Sequence, residues 1–569
     1  MNCPIRVACL LLLSVPPLSA ATYEVAERNP RASDANDGSL ERPWKTIARA
    51  ADQVKPGDTV IIRDGIYRER IAAKVSGTAE SPITFAAAAG AHGVLTGADR
   101  LTGWKKVKDG TPIYQVSWSH RFIGWSKQMT HPDDAYHLLI GRCEQVAVDG
   151  YLLRQVLASE QIAPGTFFVD ISNQVLFVED AGRRDLNKVS AEASVRQEIF
   201  RVEGDYVQLR GLHFRFAANM AQHGAVVLAG KHDTLEDCTV EYMNSSGATF
   251  SGEQQLVRRC VFRENGQLGF GANGAHDLLF TDCLVENNNI KGFDRGWEAG
   301  GDKLVLCRNA VLERSRFLRN RGSGIWFDIG NEQCTVRQCL IAENEDAGIF
   351  YEISYGLQAH DNVIVGNGFA QTARAWGAQA GISLSSSPEC LVERNLIVGN
   401  REGFNFREQT RTTPRIGQKG DVPVWNHDET IRRNVIAYNR DAQIWGWFDI
   451  KDNRHWPSET KENEIASKQL TLPKLRLSFV ENVYFAEPGQ GWFEWGVTWA
   501  RHKSYTRLSA FQTDLGIDIG SQVYNPNFTN LSALDCRVGA ETMARLKESY
   551  PQGPVPGVTL ILDAAPLTH

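Results

Sequence analysis

The sequence predicts an all-β protein: a right-handed parallel β-helix with an inserted β-sandwich. Short segments rich in Val, Ile and Leu recur with a base period of 22–24 residues, and a small or amide side chain precedes an apolar pair in each. No window carries a sustained helical period over the length of a helix. Because the chain of 569 residues is long for one compact core, this repeat favours a solenoid whose coils stack on one another.

One column of residues sets the register of the predicted coils. The spacings between its members are 22, 23, 32, 24, 23, 33, 39 and 48 residues, so longer coils carry inserted loops. We expect the column to point inward, with its cysteines as packed thiols because Ser and Asn fill equivalent places, although disulfides between neighbouring coils are the alternative. The members are Cys238, Cys260, Cys283, Ser315, Cys339, Asn362, Asn395, Asn434 and Asn482, with Gly211 expected before them.

The first segment, residues 1–21, has the features of a cleaved secretory signal. It has one arginine, a short apolar run and small residues up to Ala21, and the run is too short to span a bilayer. We therefore expect a protein that is periplasmic or secreted and is not inserted in a membrane.

Four further segments follow the predicted signal. Residues 22–104 form an N-terminal cap and the first coils, and residues 105–195 form the inserted β-sandwich, because QVAVDGYLLRQV, PGTFFVDIS and NQVLFVED are typical of antiparallel hairpins. The main β-helix covers 196–500, and 501–569 form a C-terminal capping segment. The net charge of −6 leaves no basic stripe for nucleic acid. Nothing in the sequence indicates an oligomeric state.

Two neighbouring coils repeat one phrase, GIWFDI at 324–329 and GIFYEI at 348–353. Alternation along a strand predicts that Asp328 and Glu352 point to solvent, each beside an exposed aromatic, Trp326 or Phe350. The two carboxylates repel each other, so stability alone does not select them. Their expected separation, near one coil spacing, is close to the roughly 5–5.5 Å between the two carboxyl groups of retaining glycosidases. Solvated surface carboxylates, or a shared calcium ion, are the alternatives.

Polar residues on flanking coils extend this face into a predicted cleft that binds carbohydrate hydroxyl groups. We expect Trp326 and Phe350 to present flat apolar faces to a sugar ring. In GWEAGGDK, a coil lengthened by about nine residues, Trp297 and Glu298 are expected to form one wall. The other candidate substrate-binding residues are Lys303, Asn273, Ser385, Asn405 and Arg407.

The phrases around 297–354 resemble those of glycoside hydrolase family 120, the β-xylosidases. The opening NDGSLERPWKTIARAADQVKPGDTVIIRDGIYRER is also similar to that of exported bacterial β-helix carbohydrate-active enzymes. The resemblance implies a β-helix interrupted by a β-sandwich, with Asp328 as the nucleophile and Glu352 as the acid/base. It implies a retaining glycosidase that acts on an extracytoplasmic glycan, with xylose as one candidate sugar, without an organic cofactor.

Two other functions fit the same residues. In a polysaccharide lyase, Lys303 or Arg407 would remove the C5 proton of a uronic acid while Asp328 and Glu352 held calcium. In a non-catalytic glycan-binding surface protein, the cleft would bind without cleaving. A β-helix supports all three functions, so the fold does not decide among them.

Overall fold

Three long sheets wind into the coils of a right-handed parallel β-helix, so the predicted fold is confirmed. The computed structural model describes residues 20–122, 141–371, 378–408, 411–448, 475–497, 503–533 and 535–549. Each sheet has 13 strands, and each coil contributes one strand to each sheet. The predicted signal lies almost entirely outside the described residues.

Sheets 1, 2 and 3 are numbered in the order in which their strands follow one another along each coil. Sheet 1 comprises Thr22–Val25, Thr59–Ile62, Ile83–Ala87, Val207–Arg210, Thr234–Glu236, Leu256–Arg258, Leu279–Thr281, Val311–Glu313, Thr335–Arg337, Gln358–His360, Leu391–Glu393, Thr430–Arg432 and Ser478–Val480. Sheet 2 comprises Gly65–Tyr67, Gly93–Thr96, His213–Arg215, Thr239–Glu241, Val261–Arg263, Leu284–Glu286, Arg316–Leu318, Leu340–Ala342, Val363–Val365, Leu396–Val398, Val435–Ala437, Val483–Phe485 and Gln522–Val523.

Sheet 3 carries the candidate site, and its last strand is antiparallel to the one before it. Its strands are Ile71–Ala73, Phe200–Val202, Gly224–Leu228, Ser246–Phe250, Leu268–Asn273, Gly300–Val305, Ile325–Asp328, Ile349–Glu352, Ala380–Ser385, Glu402–Glu408, Ala442–Phe448, Phe493–Val497 and Lys503–Tyr505.

A β-sandwich interrupts the β-helix between its first coils and the strand at Phe200–Val202. It starts at Ala98, a few residues before the predicted boundary of 105. Its core includes the buried side chains of Trp104, Trp118 and Phe167. One sheet contains Ala98–Arg100, Val146–Val148, Tyr151–Leu152 and Ala191–Ser194; the other contains Lys105–Lys106, Ile113–Ser117, Arg154–Val156, Thr166–Asp170 and Val175–Glu179.

Helices lie mainly at the two ends of the β-helix. The first is capped by Thr46, whose side chain accepts a hydrogen bond from the Arg49 N–H, and it covers the apolar end of the first coils. The strand Gln522–Val523 still pairs with sheet 2, so the coils continue into the predicted C-terminal cap. The helices are Ile47–Gln53, Arg295–Glu298, Leu508–Leu515 and Ala540–Ser549; Ser159–Gln161 and Leu531–Ala533 are 3₁₀ turns, and Phe528–Asn530 pairs with Asp535–Val538.

The predicted inward column forms the corner between sheets 1 and 2. The Cys260 N–H donates to Cys283 Sγ (3.3 Å), and the Asn362 N–H and Nδ2 donate to Asn395 Oδ1 (3.0 and 2.9 Å). The column cysteines are buried thiols and form no disulfide, as the sequence favoured. The prediction for Gly211 was wrong by one position: Leu212 occupies the column, since its N–H donates to Cys238 Sγ (3.4 Å).

Backbone geometry explains why Gly211 resembled a column member. It has a φ of +66°, and the residue before each column member repeats this left-handed conformation. Residues other than glycine occur at this left-handed position because the column side chain that follows forms hydrogen bonds with the neighbouring coils and stabilises the turn. The residues are Asp237, Arg259, Asp282, Arg314, Gln338, Asp361, Arg394, Arg433 and Glu481, with φ between 45° and 58°.

Candidate active site

The predicted outward row exists in sheet 3 with the expected register. Phe327 pairs with Tyr351, which sets Asp328 beside Glu352 on the next coil. Glu352 pairs in turn with Ser385, and Ser385 pairs with Arg407. Since paired strands lie about 4.8 Å apart, the two carboxylates occupy adjacent rungs of one face.

Lys303 forms an ion pair with Asp328. Its Nζ lies 3.0 Å from Asp328 Oδ2, and it also donates to the Trp297 carbonyl (3.2 Å). Burial alone lowers the pKa of Lys303, but the carboxylates of Glu298 and Asp328 outweigh it and raise the pKa above the usual value. Lys303 is therefore a fixed cation beside Asp328.

Glu352 has a different environment. Its Oε1 accepts a hydrogen bond from Arg411 Nη1 at 2.7 Å. Burial first, and then the charge of Asp328, raise the pKa of Glu352, while Arg411 and Arg407 oppose this rise. The net shift is upward, so Glu352 holds a proton at higher pH than an ordinary glutamate.

An inserted hairpin brings Arg411 to the site. Its strands, Arg411–Pro414 and Asp421–Val424, lie within the coil of 39 residues that follows Asn395. The hairpin folds back over an earlier coil, where Arg415 pairs with Glu332 (2.9 Å). Gly330 has a φ of +65°, and the Pro414 carbonyl oxygen lies 2.6 Å from where its Cβ would be. A side chain at Gly330 would therefore displace the hairpin.

The expectation of solvent-exposed carboxylates and aromatics was wrong. Asp328 is 8% exposed and Glu352 2%, while Trp326 is 2% and Phe350 0% exposed. The two aromatic rings stack on each other at 5.4 Å and pack with Ala347 and Ala378. Lys303 Nζ lies 4.2 Å from the centre of the Trp326 ring. These rings line the floor beneath the charges and present no open face to a sugar.

The other predicted residues of the row are also buried, with one exception. Asn405 donates to Glu402 Oε2 (2.5 Å), and Arg407 is fully buried. Ser385 is buried, and its Oγ has no hydrogen-bond partner among the described residues. Asn273 is exposed and lies in the Asp328 column two coils earlier. The polar face is thus largely enclosed.

The predicted wall is a short helix, Arg295–Glu298. Glu298 Oε2 lies 4.0 Å from Lys303 Nζ and accepts a hydrogen bond from Gln222. Burial raises the pKa of Glu298, although Lys303 opposes this. The Trp297 side chain packs on a cluster around Phe293, and its backbone carbonyl accepts the hydrogen bond from Lys303.

Two residues of this region were missed from the sequence. Arg411 lies 59 residues after Glu352, in an insertion that the spacing of 39 residues reveals without indicating its path. Asp302 is the second: its Oδ1 accepts the Trp326 N–H (2.9 Å), and burial raises its pKa well above the usual value. Its side chain faces the core, a position where a strand pattern predicts an apolar residue.

Among the described residues, no group of three or more His, Cys, Asp or Glu side chains is arranged to hold a metal ion. The helices of the same part of the chain are each too short or too polar to cross a membrane.

Comparisons with known proteins agree with the fold. Residues 224–397 match the family described as "Right handed beta helix region". The chain is 22% identical over 535 residues to "Uncharacterized protein YwoF" of Bacillus subtilis (strain 168), and the match covers 91% of each protein. It is also similar to XylC, solved in complex with xylose: identity is 17%, TM-score is 0.66, and 89% of this chain and 87% of that chain are covered. The chain therefore has the right-handed parallel β-helix fold over most of its length.

Proposed function

We propose that the protein is a retaining glycoside hydrolase of the exported β-helix type, in which Asp328 is the nucleophile and Glu352 the acid/base. One observation carries the proposal: two buried carboxylates lie on adjacent rungs in different environments, although each is paired with a cation. The Asp328 carboxylate lies 3.0 Å from the Lys303 ammonium, whereas burial and Asp328 raise the pKa of Glu352. Neighbouring carboxyl groups whose environments separate their protonation are typical of glycosidase acid and nucleophile pairs.

The proposed reaction has two steps. Asp328 Oδ attacks the anomeric carbon while Glu352 donates its proton to the leaving glycosidic oxygen, which gives a covalent glycosyl-enzyme. Glu352, now ionised, then takes a proton from water, and that water releases the sugar from Asp328 with the original configuration restored. The Lys303 ammonium lies beside the attacking Asp328 carboxylate, and Arg411 stabilises the Glu352 carboxylate between the steps.

The lyase alternative is less well supported. A general base must lose its proton near neutral pH, but the carboxylates around Lys303 raise its pKa above the usual lysine value. Arg407 stays protonated in any accessible environment. Glycan binding without cleavage does not account for a buried carboxylate pair with unequal environments.

A panel of aryl glycosides and oligosaccharides tests the proposal, and xylosides come first because the similar XylC was solved with xylose. The panel is followed both by reducing-sugar release and by the ultraviolet absorbance of unsaturated uronates. Release without absorbance supports hydrolysis. Absorbance would indicate a lyase, and the absence of both would indicate binding alone.

Variants then distinguish the roles of the two carboxylates. We expect Asp328→Ala to lose activity on every substrate, because no glycosyl-enzyme forms. With Glu352→Ala, an aryl glycoside with a good leaving group should still undergo the first step, and the intermediate should accumulate. Azide should restore turnover and give a glycosyl azide of retained configuration, since this anion needs no general base. An inverted azide product, or rescue in the Asp328 variant alone, would contradict the roles.

A further inference from the structure

A cavity lies between the β-sandwich and the β-helix, and its lining includes no residue of the row of Asp328 and Glu352. Its volume is about 530 Å³, within the range of about 300–1,000 Å³ typical of small-molecule sites. The sandwich contributes Gln145, Arg154 and Gln155 to the wall, and the β-helix contributes Lys291 and Arg321. Apolar side chains complete the lining: Leu152, Leu153, Phe167 and Ile290.

The lining of this cavity has three cationic side chains, Arg154, Lys291 and Arg321, of which Arg321 is already paired with Glu345 (3.6 Å). Its one carboxylate, Glu144, is already held by Arg142 through two hydrogen bonds (3.0 and 3.1 Å) and by Gln155 Nε2 (3.0 Å). Within the described part of the chain, neither Arg154 nor Lys291 has a carboxylate at ion-pair distance; the Lys291 ammonium donates to the Asn244 amide oxygen. Like charges on facing walls disfavour each other, so an anion between them would be stabilised.

Two amide side chains of the lining each have one polar atom without a partner in the described part of the chain. The buried Gln145 Nε2 and Gln155 Oε1 have no hydrogen-bond partners among the described residues. One is a donor and the other an acceptor, which suits the hydroxyl groups of a carbohydrate. The half-buried Leu152, Leu153 and Ile290 supply apolar surface in the same lining. Cations, amides and apolar side chains together match a polar ring that carries a negative group.

We propose that this cavity binds a sugar unit bearing an anionic group, a carboxylate or a sulfate, between Arg154 of the sandwich and Lys291 of the β-helix. The site is distinct from the proposed catalytic row and does not depend on the reaction assigned there. Lys291 precedes Glu298 by seven residues in the segment that leads into the strand of Lys303. A bound anionic sugar would therefore contact the segment that forms one wall of the catalytic row.

The charge of Lys291 gives the site an expected pH dependence. Burial lowers the pKa of Lys291 to about 8, Cys143 and Glu144 oppose this shift, and Arg142 adds to it. Arg154 and Arg321 line the same cavity and keep their charges across this range. Because the lysine is an ammonium only below its pKa, anion affinity should fall as pH rises through about 8.

Calorimetric titration of the full chain tests the proposal, with glucuronate, glucose 6-sulfate, glucose and inorganic sulfate as probes. We expect one or both anionic sugars to bind. Arg154→Gln and Lys291→Met should each weaken that binding on the order of tenfold or more, the usual effect of losing a hydrogen bond to a charged group. Lys291→Arg keeps the charge and should bind more tightly than Lys291→Met. The control Lys188→Gln removes an exposed sandwich charge outside the cavity and should change nothing.

The variant Asp328→Ala distinguishes binding in the cavity from binding in the catalytic row. Binding of the anionic sugar that survives Asp328→Ala and is lost in Arg154→Gln supports the cavity, whatever the outcome of the glycosidase assays. Binding that is lost in Asp328→Ala and unchanged in Arg154→Gln would place the sugar in the catalytic row and overturn the proposal. Glucose or inorganic sulfate binding as tightly as the anionic sugars would also overturn it, as would the absence of binding by both anionic sugars.

Discussion

At the Glu352 carboxylate, burial and three charged neighbours act in opposite directions. Burial and the Asp328 charge raise the pKa, and Arg411 and Arg407 lower it. A general acid is most effective when its pKa lies near the working pH, because it must hold the proton and still release it. Arg411 thus limits how far the pKa rises, and it reaches Glu352 from a hairpin rather than from the sheet.

This role of Arg411 predicts a change in pH dependence. Arg411→Gln removes a cation that lowers the pKa of Glu352, so that pKa should rise further. The proton is then retained to higher pH, and the basic limb of the kcat/KM profile should move upward. Arg415→Gln is the matched control, since Arg415 lies on the same hairpin but pairs with Glu332. A basic limb that stays in place in Arg411→Gln, or moves equally in the control, would contradict this role.

At the residue scale, the alignment of the row could be predicted from the sequence, but its burial could not. Strand alternation was enough to place Asp328, Glu352, Ser385 and Arg407 on one face. The first two also share an offset of 13 residues from their column members, Ser315 and Cys339. Both signals depend on local geometry. Burial of these residues was not predictable in the same way. It depends on a hairpin and a short helix that fold back from loops, and a loop's length does not specify its direction.

At the scale of the strand and its corner, amide columns hold the coils together. The column predicted from the sequence is accompanied by a second, five residues later, at the corner between sheets 2 and 3. Here Asn320 Nδ2 donates to Asn344 Oδ1 (2.9 Å), and Asn344 Nδ2 donates to Asn367 Oδ1 (2.9 Å). The signal was present in the sequence as a repeated Asn at a fixed offset. It was missed because one column was sufficient to fix the register.

The first column predicts a large effect of Asn395→Leu on stability. Asn395 Oδ1 accepts two hydrogen bonds from Asn362, and its Nδ2 donates to Asn434 Oδ1 (3.0 Å). Leucine leaves these buried groups without partners, which lowers the free energy of unfolding by roughly 1–3 kcal/mol for each group. In thermal and urea unfolding, the midpoints of Asn395→Leu should lie well below those of the wild type. Asn273→Ala, at an exposed asparagine, is the control and should unfold close to the wild type. Equal unfolding midpoints for the two variants would count against the column.

At the scale of the whole molecule, the stacked coils enclose carboxyl groups as well as apolar side chains. Asp233, Glu408 and Glu429 are buried, and burial raises the pKa of each. Each lies in or beside a turn between coils, where composition and alternation predict solvent exposure. Their burial results from one coil covering the next, so it could not be recognised from a single unit of the repeat.

Asp233 links this burial to the pH dependence of folding. Its pKa is raised to about 8 in the folded protein, against about 3.9 in an unfolded chain. Between these values the folded state holds a proton that the unfolded state has released. The free energy of unfolding therefore falls as pH rises from about 4 to about 8, by up to about 1.4 kcal/mol per pH unit. The stability that the protonated Asp233 contributes is fully present only below about pH 4.

Asp233→Asn should remove this dependence, because the amide stays neutral and its Oδ1 can still accept the Val207 N–H, which lies 3.0 Å from the Asp233 oxygen. Urea unfolding at several pH values between about 4 and about 8 measures the difference between variant and wild type. We expect the variant to gain stability relative to the wild type as pH rises, and the gain to level off above the pKa of Asp233. Asp52→Asn is the control, since Asp52 is exposed, and its difference from the wild type should stay constant. A constant difference for Asp233→Asn as well would mean that Asp233 is ionised in the folded protein. In that case a cation or water must compensate its charge between the coils.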